Sequence, residues 1–315
     1  MITNMYIPYY RGKQYDLLGL IESIQEYLIA DWVIPLIEPV RDNKYMIQLL
    51  DMCVKHKQQL LIIVNPEVGQ VPYGVSQRFP WDDYFRYEWI RPVYIINDNF
   101  SKEMVTYDSY IYLHKHYSRL GFQEIQTLAP PEFHIMTEEI LLCNRVEESR
   151  VNLVDPFVRR KDQEYEDELF EEDEFFSDDL YYFAEDGYIG YSDYGIDGQR
   201  YYDKGYPSRY VVLHVLYWDR YKRMRVKHFT CNPTDSMTNP GQKFFEALSK
   251  CNDWYERNKD VLILTQGLKQ LLSYLELMKY PGAGTVKKLL VKHHMELYCN
   301  VSVNTIKIDK IDDRY

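Results

Sequence analysis

The sequence predicts an α/β fold: a distorted (β/α)8 barrel, similar to a TIM barrel, with a helical appendage at its C-terminus. Short apolar runs alternate with helical patterns through the N-terminal third of the 315-residue chain, which is the order of a parallel sheet with helical crossovers. Each run ends in polar residues, as expected where barrel strands build a site at their carboxyl ends. The sequence contains none of the glycine-rich phosphate-binding motifs of doubly wound sheets and P-loop proteins, which favours the barrel.

The first half of the predicted barrel rests on clear patterns. Four apolar runs have the length and composition of buried strands: Met5–Tyr10, Trp32–Ile37, Gln59–Val64 and Arg91–Ile96. A helix-forming segment follows each of them, over Tyr15–Ile29, Asn43–Lys57, Trp81–Tyr87 and Ser101–Ser118. Such repetition predicts parallel neighbouring strands joined by right-handed crossovers.

The second half is predicted from weaker patterns. Three shorter runs are strand candidates: Gln123–Thr127, Ile140–Cys143 and Val151–Val154. Two longer runs predict an antiparallel hairpin: Tyr210–Trp218 and Met224–Cys231. Amphipathic helices are predicted over Lys243–Trp254, Val261–Lys279 and Val286–Tyr298. We therefore expect the barrel within residues 1–240, helices packed on it within 241–303, and a mobile tail over 304–315.

One acidic segment accounts for the net charge of −11. The chain has 37 Lys and Arg residues against 48 Asp and Glu, and 13 of the acidic residues lie between Asp162 and Gly187, where there is no Lys or Arg. The rest of the chain is about neutral and lacks the clustered cations that a nucleic-acid duplex requires. Direct binding of duplex nucleic acid is therefore not expected.

Within residues 162–187, apolar side chains recur at near-helical spacing among the carboxylates, which predicts an acidic amphipathic helix. Such a helix can bind a basic protein partner through Glu171, Glu172, Asp173 and Glu174. It can also be a solvated helix that covers the side of the barrel, which is the more common role of a charged surface helix.

The five cysteines are scattered and form no CxxC pair. This spacing excludes a disulfide framework and a thiolate zinc knuckle, and it is typical of a protein in a reducing compartment. The sequence has no apolar run long enough to cross a membrane and no cleavable leader, so we expect neither membrane insertion nor secretion. We therefore predict a cytoplasmic localisation.

Several short motifs resemble the bacteriophage beta-protein-like family. Near the N-terminus they are Tyr6-Ile7-Pro8-Tyr9, Arg11-Gly12-Lys13 and Ile34-Pro35-Leu36-Ile37-Glu38-Pro39. Further along, the similar segments are Gly190-Tyr191-Ser192-Asp193-Tyr194, Tyr210–His214 and His228-Phe229. The resemblance implies a TIM-barrel-like fold in a protein of phages or bacterial mobile elements, with a role in phage–bacterium conflict such as antiphage defence. It implies no particular reaction and no catalytic residues.

Two cations at the tip of the first predicted strand are candidate substrate contacts. Arg11 and Lys13 flank Gly12, which allows a ligand to approach the backbone closely. Such a pair can clamp a phosphate or a carboxylate, although it can equally pair with a neighbouring acid in a solvated loop. Asn65, at the tip of the third strand, is a further candidate for substrate binding.

Carboxylates follow the second, fourth and seventh predicted strands, at Glu38, Asp98 and Asp155, and Asp193 lies in the later Gly-aromatic motif. Carboxylates that converge at a barrel mouth can move protons or bind a hard divalent ion, so all four are catalytic candidates. Glu38 and Asp155 are the predicted ligands of an Mg²⁺ or Mn²⁺ ion. Since the same residues occur in ordinary turns, a purely structural role remains equally open.

His214 and His228 lie on the two strands of the predicted hairpin, at equal distances from its turn. Directly opposed imidazoles can bind a metal ion or act as an acid–base pair, so both are catalytic candidates. A hydrogen-bonded core histidine is the more common outcome on an apolar strand.

Two functions fit these features. The first is metal-assisted hydrolysis of an anionic or phosphorylated substrate bound at the barrel mouth. The second is a non-catalytic regulatory, immunity or inhibitor subunit whose acidic segment binds a basic protein partner. Substitution of Glu38 or Asp155 would abolish the first function, whereas charge reversal across Glu171–Glu174 would abolish the second.

Overall fold

The computed structural model describes residues 4–70, 79–165, 170, 172–203, 208–234 and 236–300. Eight parallel strands close into a barrel, in which each strand pairs with the next and the last pairs with the first. In chain order they are β1 (Met5–Tyr10), β2 (Leu36–Ile37), β3 (Leu60–Ile63), β4 (Ile90–Ile95), β5 (Ile111–His114), β6 (His134–Met136), β7 (Arg150–Val154) and, after one intervening strand, β9 (Gly190–Asp193). The predicted α/β barrel is thereby confirmed.

A second, antiparallel sheet lies beside the barrel. Its strands are β8 (Asp173–Ser177), β10 (Val212–Trp218) and β11 (Met224–Thr230), in the order β10-β11-β8. The predicted hairpin is confirmed as β10 and β11. One face of this sheet packs on the barrel wall through residues such as Leu216 and Val226. The other face packs on the C-terminal helices through Leu213 and Phe229.

The helices around the barrel differ greatly in length. After β1 and β2 come full crossover helices, α1 (Gln14–Gln25) and α2 (Lys44–His56). After β3 the helices have only four to seven residues: α3 (Trp81–Phe85), α4 (Arg119–Ile125), α5 (Ile140–Cys143) and α6 (Asp179–Tyr182). The C-terminal appendage again contains long helices: α7 (Pro240–Asn258), α8 (Gln266–Leu277) and α9 (Ala283–Cys299).

Helix α9 takes the place of a barrel helix by packing along α1. Gly19 of α1 lies so close to α9 that a methyl group there would be 2.9 Å from both the Lys288 carbonyl oxygen and the Val291 side chain. Lys288 also forms an ion pair with Glu22 of α1. Met295 of α9 belongs to the same hydrophobic core as the outer wall of the barrel, so this helix is an integral part of the fold.

Alternation of side chains along the strands separates the barrel interior from its outer wall. The apolar interior cluster consists of Met5, Ile7, Tyr9, Ile34, Leu36, Leu61, Ile63, Val93, Ile95, Ile111, Leu113, Phe133, Ile135, Val151, Leu153 and Tyr194. Residues between them, such as Tyr6 and Tyr191, belong to the core outside the barrel. The position of a residue within its strand therefore decides whether it faces the barrel axis or the surrounding helices.

Two of the predicted strands are wrong. Gln123–Thr127 and Ile140–Cys143 contribute to helices α4 and α5, and the sixth barrel strand is β6. Ser118 starts α4, because its hydroxyl accepts a hydrogen bond of 2.9 Å from the backbone N–H of Gly121. An N-cap of this kind satisfies one of the donors that a helix leaves unpaired at its start.

The predicted helix Ser101–Ser118 is also wrong. Its sequence forms a 3₁₀ turn, Lys102–Met104, and then strand β5. Ile111 and Leu113 of this strand both fill the barrel interior. Their spacing of two fits a strand, and burial in the barrel has prevailed over the helical propensity of the segment.

The prediction of one helix over residues 162–187 is wrong for the part that the structure describes. That part contains a 3₁₀ turn over Asp162–Tyr165, then strand β8, and then helix α6. Strand β8 pairs with β11, where Arg225 and Lys227 lie 2.8 and 3.6 Å from carboxylate oxygens of Asp173. Charge pairing across the strands has thus prevailed over the local helical spacing.

The three predicted C-terminal helices are present, although the second begins at Gln266, after Thr265 as its N-cap. All five cysteines are free. The predicted tail over 304–315 lies outside the described residues. Among the described helices, none is both long enough and apolar enough to cross a membrane.

Candidate functional site

Four charged side chains follow barrel strands at the carboxyl-terminal mouth of the barrel: Arg11 after β1, Glu38 after β2, Lys115 after β5 and Asp155 after β7. Each lies two positions beyond an interior residue, which directs it toward the barrel axis. The interior residue Tyr194, which follows β9, completes the group. Arg11, Glu38 and Asp155 were predicted from the sequence, whereas Lys115 and Tyr194 were not.

Glu38 is the centre of the mouth and is completely buried. Its Oε2 atom accepts hydrogen bonds from the Arg11 guanidinium and, at 2.7 Å, from the Tyr9 hydroxyl. Lys115 Nζ lies 3.7 Å from the same oxygen, and the backbone N–H of Glu67 donates to Oε1 at 2.9 Å. Burial alone would raise the pKa of Glu38, but Lys115, Arg11 and these hydrogen bonds lower it below its usual value. Glu38 is therefore ionised at neutral pH and anchors the two cations.

Lys115 has a second carboxylate partner. Its Nζ lies 3.0 Å from Oε2 of Glu67, while Asn97 donates to Oε1 of Glu67 at 2.6 Å. The Glu67 side chain is 31% exposed, whereas that of Glu38 is fully buried. The two carboxylates around Lys115 therefore differ, because only Glu67 is free to move toward solvent.

Backbone of residues 198–203, which we call the mouth loop, crosses over these side chains. Arg11 donates to the carbonyl oxygen of Gln199, and the N–H of Gln199 donates to Oδ2 of Asp155 at 2.9 Å. Lys13 donates to the carbonyl oxygen of Tyr202 at 2.6 Å, so it contributes to the loop rather than to the interior of the mouth. The loop thus occupies donors and acceptors that a ligand would use.

Asp155 and Tyr194 are the two groups at the mouth that suit proton transfer. Asp155 is accessible to solvent, and partial burial of its carboxyl group raises its pKa, against the opposing effect of Arg11. The Tyr194 ring lies 4.7 Å from that of Tyr9, and its hydroxyl is buried without a hydrogen-bond partner among the described residues. Burial also raises the pKa of Tyr194, so its hydroxyl remains a hydrogen-bond donor.

The donor set at the mouth does not fit the predicted Mg²⁺ or Mn²⁺ ion. Both oxygens of Glu38 already accept hydrogen bonds, and two cations lie beside one of them. A divalent ion there would have to displace Arg11 or Lys115. The described residues contain no group of three His, Cys, Asp or Glu side chains arranged to hold a metal ion.

Asn65 and Asp98 lie near the mouth but have structural partners. The Asn65 amide donates to the carbonyl oxygen of Ile95 at 2.9 Å and accepts from the Ile95 N–H at 2.8 Å, which extends the pairing of β3 with β4. Asp98 accepts a hydrogen bond of 2.6 Å from Ser118, the N-cap of α4. Neither side chain contributes to the cluster around Glu38.

The expected position of Asp193 at the mouth is wrong. Asp193 is fully buried on the outer wall of the barrel, where it accepts hydrogen bonds of 3.0 Å from the Tyr6 hydroxyl. The Tyr6 oxygen lies 2.9 Å from Nε2 of His294 on α9, and Tyr10 contacts Nδ1 of that ring at 3.2 Å. When Asp193 is ionised, Tyr6 donates its one proton to that carboxylate, so His294 donates from Nε2 and accepts from Tyr10. Burial raises the pKa of Asp193 to about 7.

His214 and His228 face each other as predicted, with 2.7 Å between their Nδ1 atoms. They belong to the second sheet rather than to the mouth, and His228 Nε2 lies 3.2 Å from Oε2 of Glu174. Burial lowers the pKa of His214 to about 3 and that of His228 to about 4, so both rings are neutral at pH 7. In this arrangement His228 donates to Glu174 and accepts from His214, which ties the three strands of the sheet together.

The predicted partner-binding acids are partly engaged within the protein. Glu174 pairs with Arg160 as well as with His228, and Asp173 pairs with the cations of β11 described above. The side chain of Glu172 is exposed, and Glu171 lies outside the described residues. Binding of a basic partner through this segment stays a prediction.

Lys115 and Tyr194 were missed for different reasons. Strand β5 ends directly before Lys115, so the mistaken helix over that segment concealed the position of the lysine. Tyr194 stood inside a recognised motif, but the chain has 31 tyrosines. With so many, only the alternation along β9 could have placed this one in the barrel interior.

No family model matches this chain, and no curated protein or solved structure matches it. The resemblance to the bacteriophage beta-protein-like family, together with the role in phage–bacterium conflict that it implies, therefore stays a prediction that rests on short motifs. A closed barrel identifies no reaction by itself, since barrels of this kind support many unrelated activities.

Proposed function

We propose that the barrel mouth binds a small anionic substrate, which carries a phosphate or a carboxylate group, and hydrolyses it by acid–base catalysis. The observation that carries this proposal is the arrangement of Arg11 and Lys115 beside Asp155 and the Tyr194 hydroxyl, which has no hydrogen-bond partner among the described residues. These groups follow different strands of one barrel and meet at its carboxyl-terminal end, where barrel enzymes build their active sites.

The two cations are suited to hold an anion. Arg11 and Lys115 are 5% and 9% exposed, so water screens their charge only weakly. Glu38 fixes both of them but leaves part of their hydrogen-bonding capacity to replaceable partners, the Glu67 carboxylate and the Gln199 carbonyl. A phosphate or carboxylate ligand would take the places of these two groups.

Asp155 is suited to act as the base. A carboxylate with a raised pKa accepts a proton from water more readily than an ordinary Asp. As the water oxygen attacks the phosphorus or acyl carbon of the substrate, Asp155 would take its proton and return it to the leaving group. The Tyr194 hydroxyl would donate a hydrogen bond to the oxygen on which negative charge develops.

Titration calorimetry with inorganic phosphate tests the anion site. We expect Lys115→Gln to weaken binding about tenfold, because one charge-assisted hydrogen bond is lost. We expect Glu67→Gln to strengthen binding severalfold, since it removes the carboxylate that competes for Lys115. Lys102→Gln, an exposed cation in the 3₁₀ turn before β5, is the matched control and should change nothing.

Hydrolysis is tested with the generic anionic substrate p-nitrophenyl phosphate. Asp155→Asn should lower the rate by about 10²-fold or more, while phosphate still binds as it does to the wild type. If Glu67→Gln weakens phosphate binding as Lys115→Gln does, the cluster is a structural ion network and the anion site is rejected. Equal rates for the wild type and Asp155→Asn would reject the role of Asp155.

A further inference from the structure

A groove separate from the barrel mouth lies between the end of β11 and the C-terminal half of α7. Its volume is about 530 Å³, which is within the usual range for small-molecule sites. It lies against α7, on the far side of the second sheet from the barrel, and none of its described lining residues belongs to the mouth. Its lining includes Lys227, Phe229, Lys250, Trp254 and Arg257.

The floor of the groove is aromatic. Phe229 is 4% exposed and packs against Trp254, with 5.4 Å between the ring centroids. On its other side Trp254 contacts Tyr217, at a centroid distance of 5.1 Å. Trp254 is thereby held in place while it stays half-buried, so part of its surface is available to a planar ligand. Such a ring can stack on any planar aromatic group, because every such group has a π-face.

Three cations surround this aromatic floor. Lys250 donates to the carbonyl oxygen of Thr230 at 2.8 Å, which holds its amine at the end of β11. Arg257 donates through Nε to the carbonyl oxygen of Asp253 at 2.9 Å, an arrangement that orients its guanidinium group. Lys227 lies across the Phe229 ring, with Nζ 6.0 Å from the centroid. The lining also contains the carboxylates of Glu172 and Asp253.

We infer that this groove binds a nucleoside phosphate, with the base against Trp254 and the phosphate between Lys250 and Arg257. Lys227 is already paired with Asp173 at 3.6 Å, whereas Lys250 and Arg257 donate to backbone carbonyl oxygens, so these two keep their charge for an anion. An aromatic surface next to fixed cations matches a ligand that combines a planar ring with an anion. Neither a phosphate without a base nor a base without a phosphate would use both features.

Titration calorimetry with three probes tests this inference: AMP, ribose 5-phosphate and adenosine. We expect AMP to bind at least tenfold more tightly than either fragment. Arg257→Gln and Lys250→Gln should each weaken AMP binding about tenfold, and Trp254→Leu should weaken it by a similar factor. Arg257 and Lys250 are exposed, so their substitution is not expected to disturb folding even if that of Trp254 does.

Lys259→Gln is the matched control, because Lys259 is exposed just beyond α7 and pairs with Glu256 outside the groove. It should leave AMP binding unchanged. Equal affinity for AMP and ribose 5-phosphate would show a nonspecific anion site and overturn the inference. So would AMP binding that Arg257→Gln leaves intact and Lys115→Gln removes, since that binding would belong to the barrel mouth. No binding of AMP at millimolar concentration would overturn it as well.

Discussion

Adjacent residues at the end of one strand can serve entirely different purposes, as Asp193 and Tyr194 show. Tyr194 faces the barrel interior and reaches the mouth, whereas Asp193 lies in the buried core beneath α9. Among the described residues no cation lies beside Asp193, and its hydrogen-bond partners there are Tyr6 and the N–H of Gly195. Burial therefore dominates, and it raises the pKa of this carboxyl group from 3.8 to about 7.

Asp193 gives the protein a specific dependence of stability on pH. The folded protein keeps its proton up to about pH 7, whereas the unfolded chain loses it near pH 3.8. The free energy of unfolding is therefore expected to fall as the pH rises between these values, by at most about 4 kcal/mol, and to level off above pH 7. In Asp193→Asn this contribution is absent, because the amide does not titrate.

Urea denaturation of the wild type and Asp193→Asn at several pH values measures the effect. The variant should gain stability relative to the wild type as the pH rises from 4 to 8. Comparing the two proteins cancels the contributions of the other titrating groups to the pH dependence. One of these is Glu38, whose lowered pKa acts in the opposite direction because it removes stability at low pH. A difference between the two proteins that stays constant with pH would contradict this account.

At the residue scale, sequence patterns predicted what lies at strand ends but not how the side chains pair. Arg11 and Glu38 follow the two clearest strands, so their convergence was predictable from barrel geometry alone. Two cations neutralise Glu38 and leave no room there for a metal ion. One of them is Lys115, a residue far away in the chain. A single sequence contains no signal for such a pairing.

At the scale of single elements, long amphipathic patterns predicted structure well and short ones did not. Strand β1 and helices α1 and α2 were predicted because their apolar residues recur over several turns or alternations. Helices α4 and α5 have only seven and four residues, too few for any periodicity to show. Strand β8 is held by its neighbour β11, so its own sequence gave a misleading helical spacing.

The packing of α1 on α9 depends on the missing side chain of Gly19. We expect Gly19→Ala to lower the free energy of unfolding by about 1–2 kcal/mol, because the added methyl group meets the rigid backbone of α9. This loss outweighs the gain of up to about 1 kcal/mol that alanine normally brings to a helix. Thermal denaturation measures the difference.

Gly241→Ala is the control for this comparison, since Gly241 also lies in a helix. A methyl group there would be 3.4 Å from the nearest atom, Cβ of Tyr280, which is an ordinary contact. This variant should be as stable as the wild type or more stable. If both alanine variants are stabilised, α1 and α9 do not require the close approach.

For the whole molecule, the closed barrel was predictable and its surroundings were not. Repeated strand–helix units have few topological solutions, and a barrel is the one in which polar strand ends converge. The second sheet combines β8 with a hairpin that comes after the last barrel strand. Likewise, α9 packs on α1 although most of the chain separates the two helices in sequence. These distant contacts arise from packing of apolar faces that a sequence pattern cannot pair.

The contact between α1 and α9 also has a consequence for synthesis on the ribosome. Helix α1 is made early, but the surface that covers it emerges only with Ala283–Cys299. Until then the surface of α1 around Gly19 and Glu22 lacks its final cover, so the nascent barrel should stay open to proteases and chaperones. We expect ribosome-bound chains to become resistant to limited proteolysis only after α9 has left the exit tunnel; resistance before that point would show that the barrel folds without it.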